Sequence, residues 1–204
     1  MGLRFVSHLV TVVLCCALAS AQVIEFESGG YKYQTLTKDG VTIMFAQMPA
    51  HIREYSILQV AVSNGSRSSC ALKPSDFVFV RDDGSTILAS PAPQVINELI
   101  AKGTRHDVTK LVTAYETSLY GNGSYKATNG YEARRQSALA EVSSTKIKAA
   151  AAASAIAFVP TRLAPGQSTD GAIFYPTWGK PLGAGKLVVR MIGGSVFEFP
   201  ISQF

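Results

Sequence analysis

Apolar and polar positions alternate through Val41-Thr42-Ile43-Met44-Phe45 and again from Tyr55 to Val62, where Leu58, Val60 and Val62 share one face. A period of two predicts half-buried β-strands. Turn residues bound both segments: Asp39-Gly40 opens the first and Asn64-Gly65-Ser66 closes the second. Phe77-Val78-Phe79-Val80 is apolar at every position, so it predicts a strand covered on both faces and central in its sheet. It runs into Arg81-Asp82-Asp83-Gly84-Ser85, a hairpin connection of the Asp-Gly kind leading to Thr86-Ile87-Leu88.

At Pro91 the period changes toward 3.6. Ser90 is placed to cap a helix whose first turn tolerates Pro91, with Val95, Ile96, Leu99 and Ile100 as its stripe and Gly103 as its end. A second helix is expected from Asp107 as N-cap to Gly121, with Val108, Leu111, Val112, Tyr115 and Leu119 on one face. A third opens with Asn129 and Glu132 at capping-box spacing and carries Tyr131, Ala138, Val142, Ala149, Ala153 and Ile156. Its buried face is mostly alanine, which lets another helix approach closely, so it should pack on the first two.

Strand signals return after Phe158: Ala172 to Tyr175, Lys186 to Ile192, and Ser195 to Ile201, the last two joined by Gly193-Gly194. Each strand set is too small to close a core alone. Together they predict one antiparallel sandwich of the α+β class, with residues 91 to 156 as a helical insertion between neighbouring strands. The run Leu163-x-Pro165-Gly166-x-Ser168-x-x-Gly171-x-Ile173-Phe174-Tyr175, with the terminal hairpin, resembles the end of bacterial exported immunoglobulin-like sandwich modules. The resemblance covers roughly the last 45 residues and the Asp76-to-Leu88 hairpin, and leaves out the helices. It implies an antiparallel immunoglobulin-like β-sandwich, here with an insertion of about three helices, and an exported location; it implies no catalytic residue.

The N-terminus supports export. Arg4, the apolar stretch Val6 to Leu18 and the Ala19-Ser20-Ala21 site have the form of a signal peptide spanning residues 1–21, cleaved between Ala21 and Gln22. The apolar stretch is shorter than the ~20 residues a membrane span needs, so no transmembrane segment is expected in the mature chain. That chain, 22–204, reads as one sandwich domain, periplasmic or secreted. A lipid anchor would need a small residue before its cysteine, and Leu14 and Cys15 occupy those positions. With Cys15 and Cys16 gone, Cys70 is alone and no internal disulfide forms.

Among the 204 residues, 47% are hydrophobic and 16% charged, which excludes a disordered chain. Loss of Arg4 lowers the net charge from +5 to +4, weak attraction for a polyanion. The basic residues of the insertion, Arg134, Arg135, Lys146 and Lys148 among them, spread over more than one helical face and are balanced by acids, so no nucleic acid is expected as a partner. A strand ending at Phe204 lacks the apolar lipid face of a membrane barrel at Ser202, Pro200 and Glu198.

Catalytic patterns are sparse. His51 and His106 stand at no metal-ligand spacing, and no cofactor or metal is expected. His106-Asp107 lacks a Gly-x-Ser-x-Gly partner. Glu25 and Glu27 share a strand face about 6.6 Å apart, a separation glycosidase carboxylates show, on an edge strand where exposed acids are ordinary. Asp82-Asp83-Gly84-Ser85 lacks the glutamate that would complete a calcium loop. The connection 120–131 combines tyrosine, glycine, serine and asparagine as binding loops do, making Tyr120, Asn122, Tyr125, Lys126 and Tyr131 the candidate contact residues. In a eukaryotic secretory pathway, Asn64-Gly-Ser66 and Asn122-Gly-Ser124 would be glycosylation acceptors. The expected function is an exported, non-catalytic binding or envelope-interaction module for a protein or glycan of the cell envelope or extracellular space. The alternatives are a hydrolase or other enzyme with its site between sandwich and insertion, built from Glu, Asp, Ser or Tyr side chains and tested by substitution at His106 or Glu132, and an assembly subunit.

Overall fold

The computed structural model describes residues 22–48, 51–104, 106–107, 110, 133 and 145–202. Strands dominate. β1 (Ile24–Ser28), β2 (Tyr31–Lys38), β3 (Val41–Gln47) and β4 (Tyr55–Asn64) follow one another, then β5 (Cys70–Leu72), β6 (Phe77–Arg81) and β7 (Thr86–Leu88). The helices α1 (Ala92–Lys102) and α2 (Thr145–Ile156) come next among the described residues, and then β8 (Thr161–Leu163), β9 (Ser168–Pro176), β10 (Gly185–Arg190) and β11 (Val196–Ile201).

The strands form a five-stranded sheet in the order β1-β2-β3-β4-β9, a four-stranded sheet in the order β11-β10-β6-β7, and a small β5-β8 ribbon, all antiparallel. In both larger sheets, strands from before the helices pair with strands from after them: β4 with β9 and β6 with β10. Neither half of the chain therefore completes a sheet by itself. The Gly29-Gly30 and Asp39-Gly40 turns have positive φ at both central residues, the conformation whose twist matches two-residue hairpins.

The facing sides of the two sheets share one apolar cluster. Ile43, Phe45, Val60 and Ile173 come from the first sheet, and Phe77, Phe79, Leu187, Phe197 and Phe199 from the second. Phe45 meets Phe199 edge to face at 5.1 Å, and the Tyr175 hydroxyl donates to the Phe77 carbonyl at 3.2 Å. β6 is internal in its sheet, as its apolar run predicts, but only Phe77 and Phe79 are buried; Val78 and Val80 stay half-exposed because nothing described covers that face.

The opposite face of the five-stranded sheet carries a second cluster, in which Tyr55, Ile57, Ala172 and Phe174 pack against Val95 and Leu99 of α1 and Ala149, Ala153 and Ile156 of α2. The small residues decide how close α1 and α2 lie: a Cβ at Gly103 would stand 3.0 Å from the Ala149 Cβ. Gly171 plays the corresponding part in β9. A Cβ there would fall 2.5 Å from the Phe158 Cα, and this open space lets the chain leaving α2 run beside β9, with the Phe158 amide donating to the Ala172 carbonyl at 2.9 Å.

Two expected caps are corrected. The N-cap of α1 is Pro91 and no side chain caps it; the Ser90 amide donates to the Phe174 carbonyl, which ties Ser90 to the sheet. Asp107 is not an N-cap. Its Oδ2 accepts from the Thr104 amide at 2.8 Å while the Asp107 amide donates to Thr104 Oγ1, so Thr104 is the cap and Asp107 closes the capping box three residues on. The rest of the second expected helix, and the third up to residue 144 apart from residue 133, lie outside the described residues. So do Ala21, beside the expected cleavage point, and the contact-loop residues Tyr120, Asn122, Tyr125, Lys126 and Tyr131. No helix among the described residues is long and apolar enough to cross a membrane.

Candidate functional site

Three contacts fasten β2 and its turn along β11. Ser195 Oγ donates to Asp39 Oδ2 at 2.6 Å, Lys38 Nζ to the Val196 carbonyl at 3.1 Å, and Gln34 Nε2 to the Pro200 carbonyl at 2.6 Å. Beyond Gln34, toward the β1-β2 turn, a cleft of about 530 Å³ opens between the hairpin and the end of β11. Its floor is Phe45 and Ile201, both buried and both part of the inter-sheet cluster. Its walls are Glu25, Glu27, Lys32, Gln47 and Ser202, with Tyr31 and Gly30 at the hairpin tip.

Strand register explains the grouping. Glu25 lies opposite Gln34, Gln34 opposite Phe45, and Glu27 opposite Lys32, so alternation places all five on the face that looks toward β11. Gln34 shares its face of β2 with Leu36 and with the exposed Lys32 and Lys38, and is itself buried at 9% exposure. Its Nε2 also donates to Glu25 Oε1, while its Oε1 is shielded from water with no hydrogen-bond partner. On the other face Phe26 stacks on Tyr33 at 5.1 Å and stiffens the hairpin. Burial pushes the Tyr31 phenol up, and burial together with Tyr31 does the same to Tyr33, so both remain neutral hydroxyls at ordinary pH.

The other candidates resolve into structural roles. His51 Nδ1 lies 3.1 Å from Ser56 Oγ, a serine–histidine contact. Ser56 is 1% exposed and donates its one proton to the Lys180 carbonyl at 3.0 Å, with Thr177 Oγ1 at 2.9 Å as a further partner. With that proton directed to Lys180 and the hydroxyl buried, Ser56 is not an accessible nucleophile aimed at a base. His106 is exposed in the first turn after Thr104, and Asp107 pairs with Arg53 at 3.4 Å, so these neighbours form no relay. Asp83 Oδ1 accepts from the Ser85 amide, and the Ser85 contacts hold its carboxyl below the usual range; it shapes the turn. Cys70 packs against the core and burial raises its thiol, which lowers its reactivity.

Asn64 is corrected as a glycosylation acceptor. It is 0% exposed, and its Nδ2 donates to the Ser68 and Leu163 carbonyls at 2.8 and 3.0 Å. No group of three or more His, Cys, Asp or Glu side chains among the described residues is placed to hold a metal ion.

Sequence reasoning singled out Glu25 and Glu27 but passed over Gln34, Phe45, Tyr31 and Ile201. Alternation gave no signal for Gln34, because Lys32 and Lys38 share its parity in β2 and the position reads as solvent-facing. No family model matches the chain, and no curated protein and no solved structure matches it either.

Proposed function

We propose that this chain is an exported binding module on an immunoglobulin-like sandwich, with the cleft between the β1-β2 hairpin and β11 as its ligand site. The observation that carries this reading is the cleft: an apolar floor of Phe45 and Ile201 with acids, amides and a phenol converging on its rim. Concave, mostly apolar sites with a few convergent polar groups are the usual form of a binding site. The polar groups argue against catalysis. Glu25 and Glu27 approach from one strand and one side, whereas a glycosidase pair must flank the bond it cleaves. The A-x-A site before Gln22 supports export.

A photo-crosslinking residue at Lys32, on the exposed rim, tests the reading in the producing cell. One defined adduct is expected, absent when the cross-linker is moved to the exposed position Asp82, and the mature chain is expected to start at Gln22 by mass spectrometry. Turnover of ester, glycoside or peptide substrates abolished by Glu25→Gln would replace it with the hydrolase reading.

A further inference from the structure

We infer that the free edge of β1 accepts an added strand: an extended segment of a partner protein carrying basic side chains at alternate positions. The inference rests on the reading of the adjoining cleft as a binding site. Four strands end the two larger sheets, β1, β9, β11 and β7. β9 is covered by the chain at Ala157 and Phe158, β11 carries Pro200, which has no amide proton to offer, and β7 is three residues long. β1 has none of these protections, and among the described residues β2 is its one neighbour.

The hairpin decides which backbone groups are open. A two-residue Gly29-Gly30 loop makes Ser28 and Tyr31 a hydrogen-bonded pair, and alternation makes Phe26–Tyr33 and Ile24–Thr35 bonded pairs as well. The amide and carbonyl groups of Glu25 and Glu27 therefore point to the free edge. Their carboxylates lie on the cleft face, and among the described residues neither has an ion-pair partner. Lys32 stands opposite Glu27 and offsets part of its charge, so Glu25 is the stronger anchor. On the other face Ile24, 61% exposed, and Phe26 present an apolar surface.

An added strand placed here would set its basic residues beside Glu25 and Glu27 and an apolar residue beside Phe26. A second copy of this chain is the wrong occupant. Antiparallel pairing about Phe26 would put Glu25 of one copy opposite Glu27 of the other, and like charges directly opposed are destabilising.

The test is fluorescence anisotropy on the mature chain with a labelled, capped peptide Thr-Lys-Val-Lys-Thr-Val. Comparators are the same peptide with Glu for Lys, the lysine peptide N-methylated at alternate amides, and capped lysine alone. The lysine peptide is expected to bind about tenfold tighter than the glutamate peptide, to weaken about tenfold with Glu25→Gln/Glu27→Gln, and to weaken with added salt. Methylation along one edge should abolish binding, and Glu25→Lys should reverse the preference. Equal binding of lysine and glutamate peptides, indifference to methylation along either edge, or full competition by capped lysine would overturn strand addition. If the Lys32 adduct forms while these peptides do not bind, the inference falls and the binding-module reading stands; loss of both removes both.

Discussion

The side-chain amide of Asn64 donates to the Leu163 carbonyl at 3.0 Å, joining the end of β4 to β8 across 99 positions of sequence. The same nitrogen reaches the Ser68 carbonyl, and Asn64 Oδ1 accepts from the Ser66 amide and hydroxyl. One buried side chain thus shapes the β4-β5 turn and fastens it to the chain that returns from the helices.

Asn64→Ala removes all of these bonds and leaves buried backbone groups unsatisfied, at about 1–3 kcal/mol for each group left dry. A total loss of about 3 kcal/mol is expected in urea unfolding, with the slope unchanged. Expression in a glycosylating host should leave Asn64 unmodified by mass spectrometry, since its nitrogen is buried and bonded.

Gly171→Ala places a Cβ 2.5 Å from the Phe158 Cα and 2.7 Å from its nitrogen, both backbone atoms that cannot rotate away. The expected loss is about 3 kcal/mol, from overpacking and displacement of the segment after α2. Gly30→Ala is the control. No atom would lie within 4 Å of its Cβ, so only the cost of positive φ, about 1 kcal/mol, should remain.

Tyr55 Oη donates to Glu98 Oε2 at 2.8 Å, linking β4 to α1, and burial, then the bond to Glu98, pushes its pKa up to about 12. The folded state holds this proton more tightly than the unfolded chain, where the value is 10.0. The contribution is therefore complete below pH 10 and lost as the pH rises through about 12. Stability should fall by about 2 kcal/mol across that window on this account. Tyr175, raised by complete burial, adds to the same fall. Tyr55→Phe should be less stable at pH 7 and show a shallower alkaline decline.

Ser56 should not react with a fluorophosphonate probe, because its proton is donated to Lys180 and it is buried. Ser56→Ala should lower stability by about 1–3 kcal/mol, the cost of its unsatisfied partners. Labelling at Ser56 in the native protein would contradict this assignment.

Trp178 has a φ of +57° and a side chain 76% exposed. Trp178→Gly should relieve about 1 kcal/mol of backbone strain with little packing lost, raising the urea midpoint followed by circular dichroism.

The local elements follow from short-range pattern. Alternation marked β3, β4 and β11 and a continuous apolar run marked β6, the Asp-Gly and Gly-rich turns fell where positive φ is required, and the α1 stripe ended at Gly103, because each depends on side-chain pattern or backbone freedom within a few residues. The capping detail was already harder: Ser90 and Asp107 are both good cap residues, and contacts with Phe174 and Thr104 decided their roles. Of the cleft, only Glu25 and Glu27 were legible, as two acids on one strand face. The tertiary structure alone decided that β4 pairs with β9, that Gly171 makes room for Phe158, and that Gln34 reaches Pro200 from 166 positions away. Those contacts depend on which distant surfaces meet, and a periodic pattern says which face is buried without saying against what.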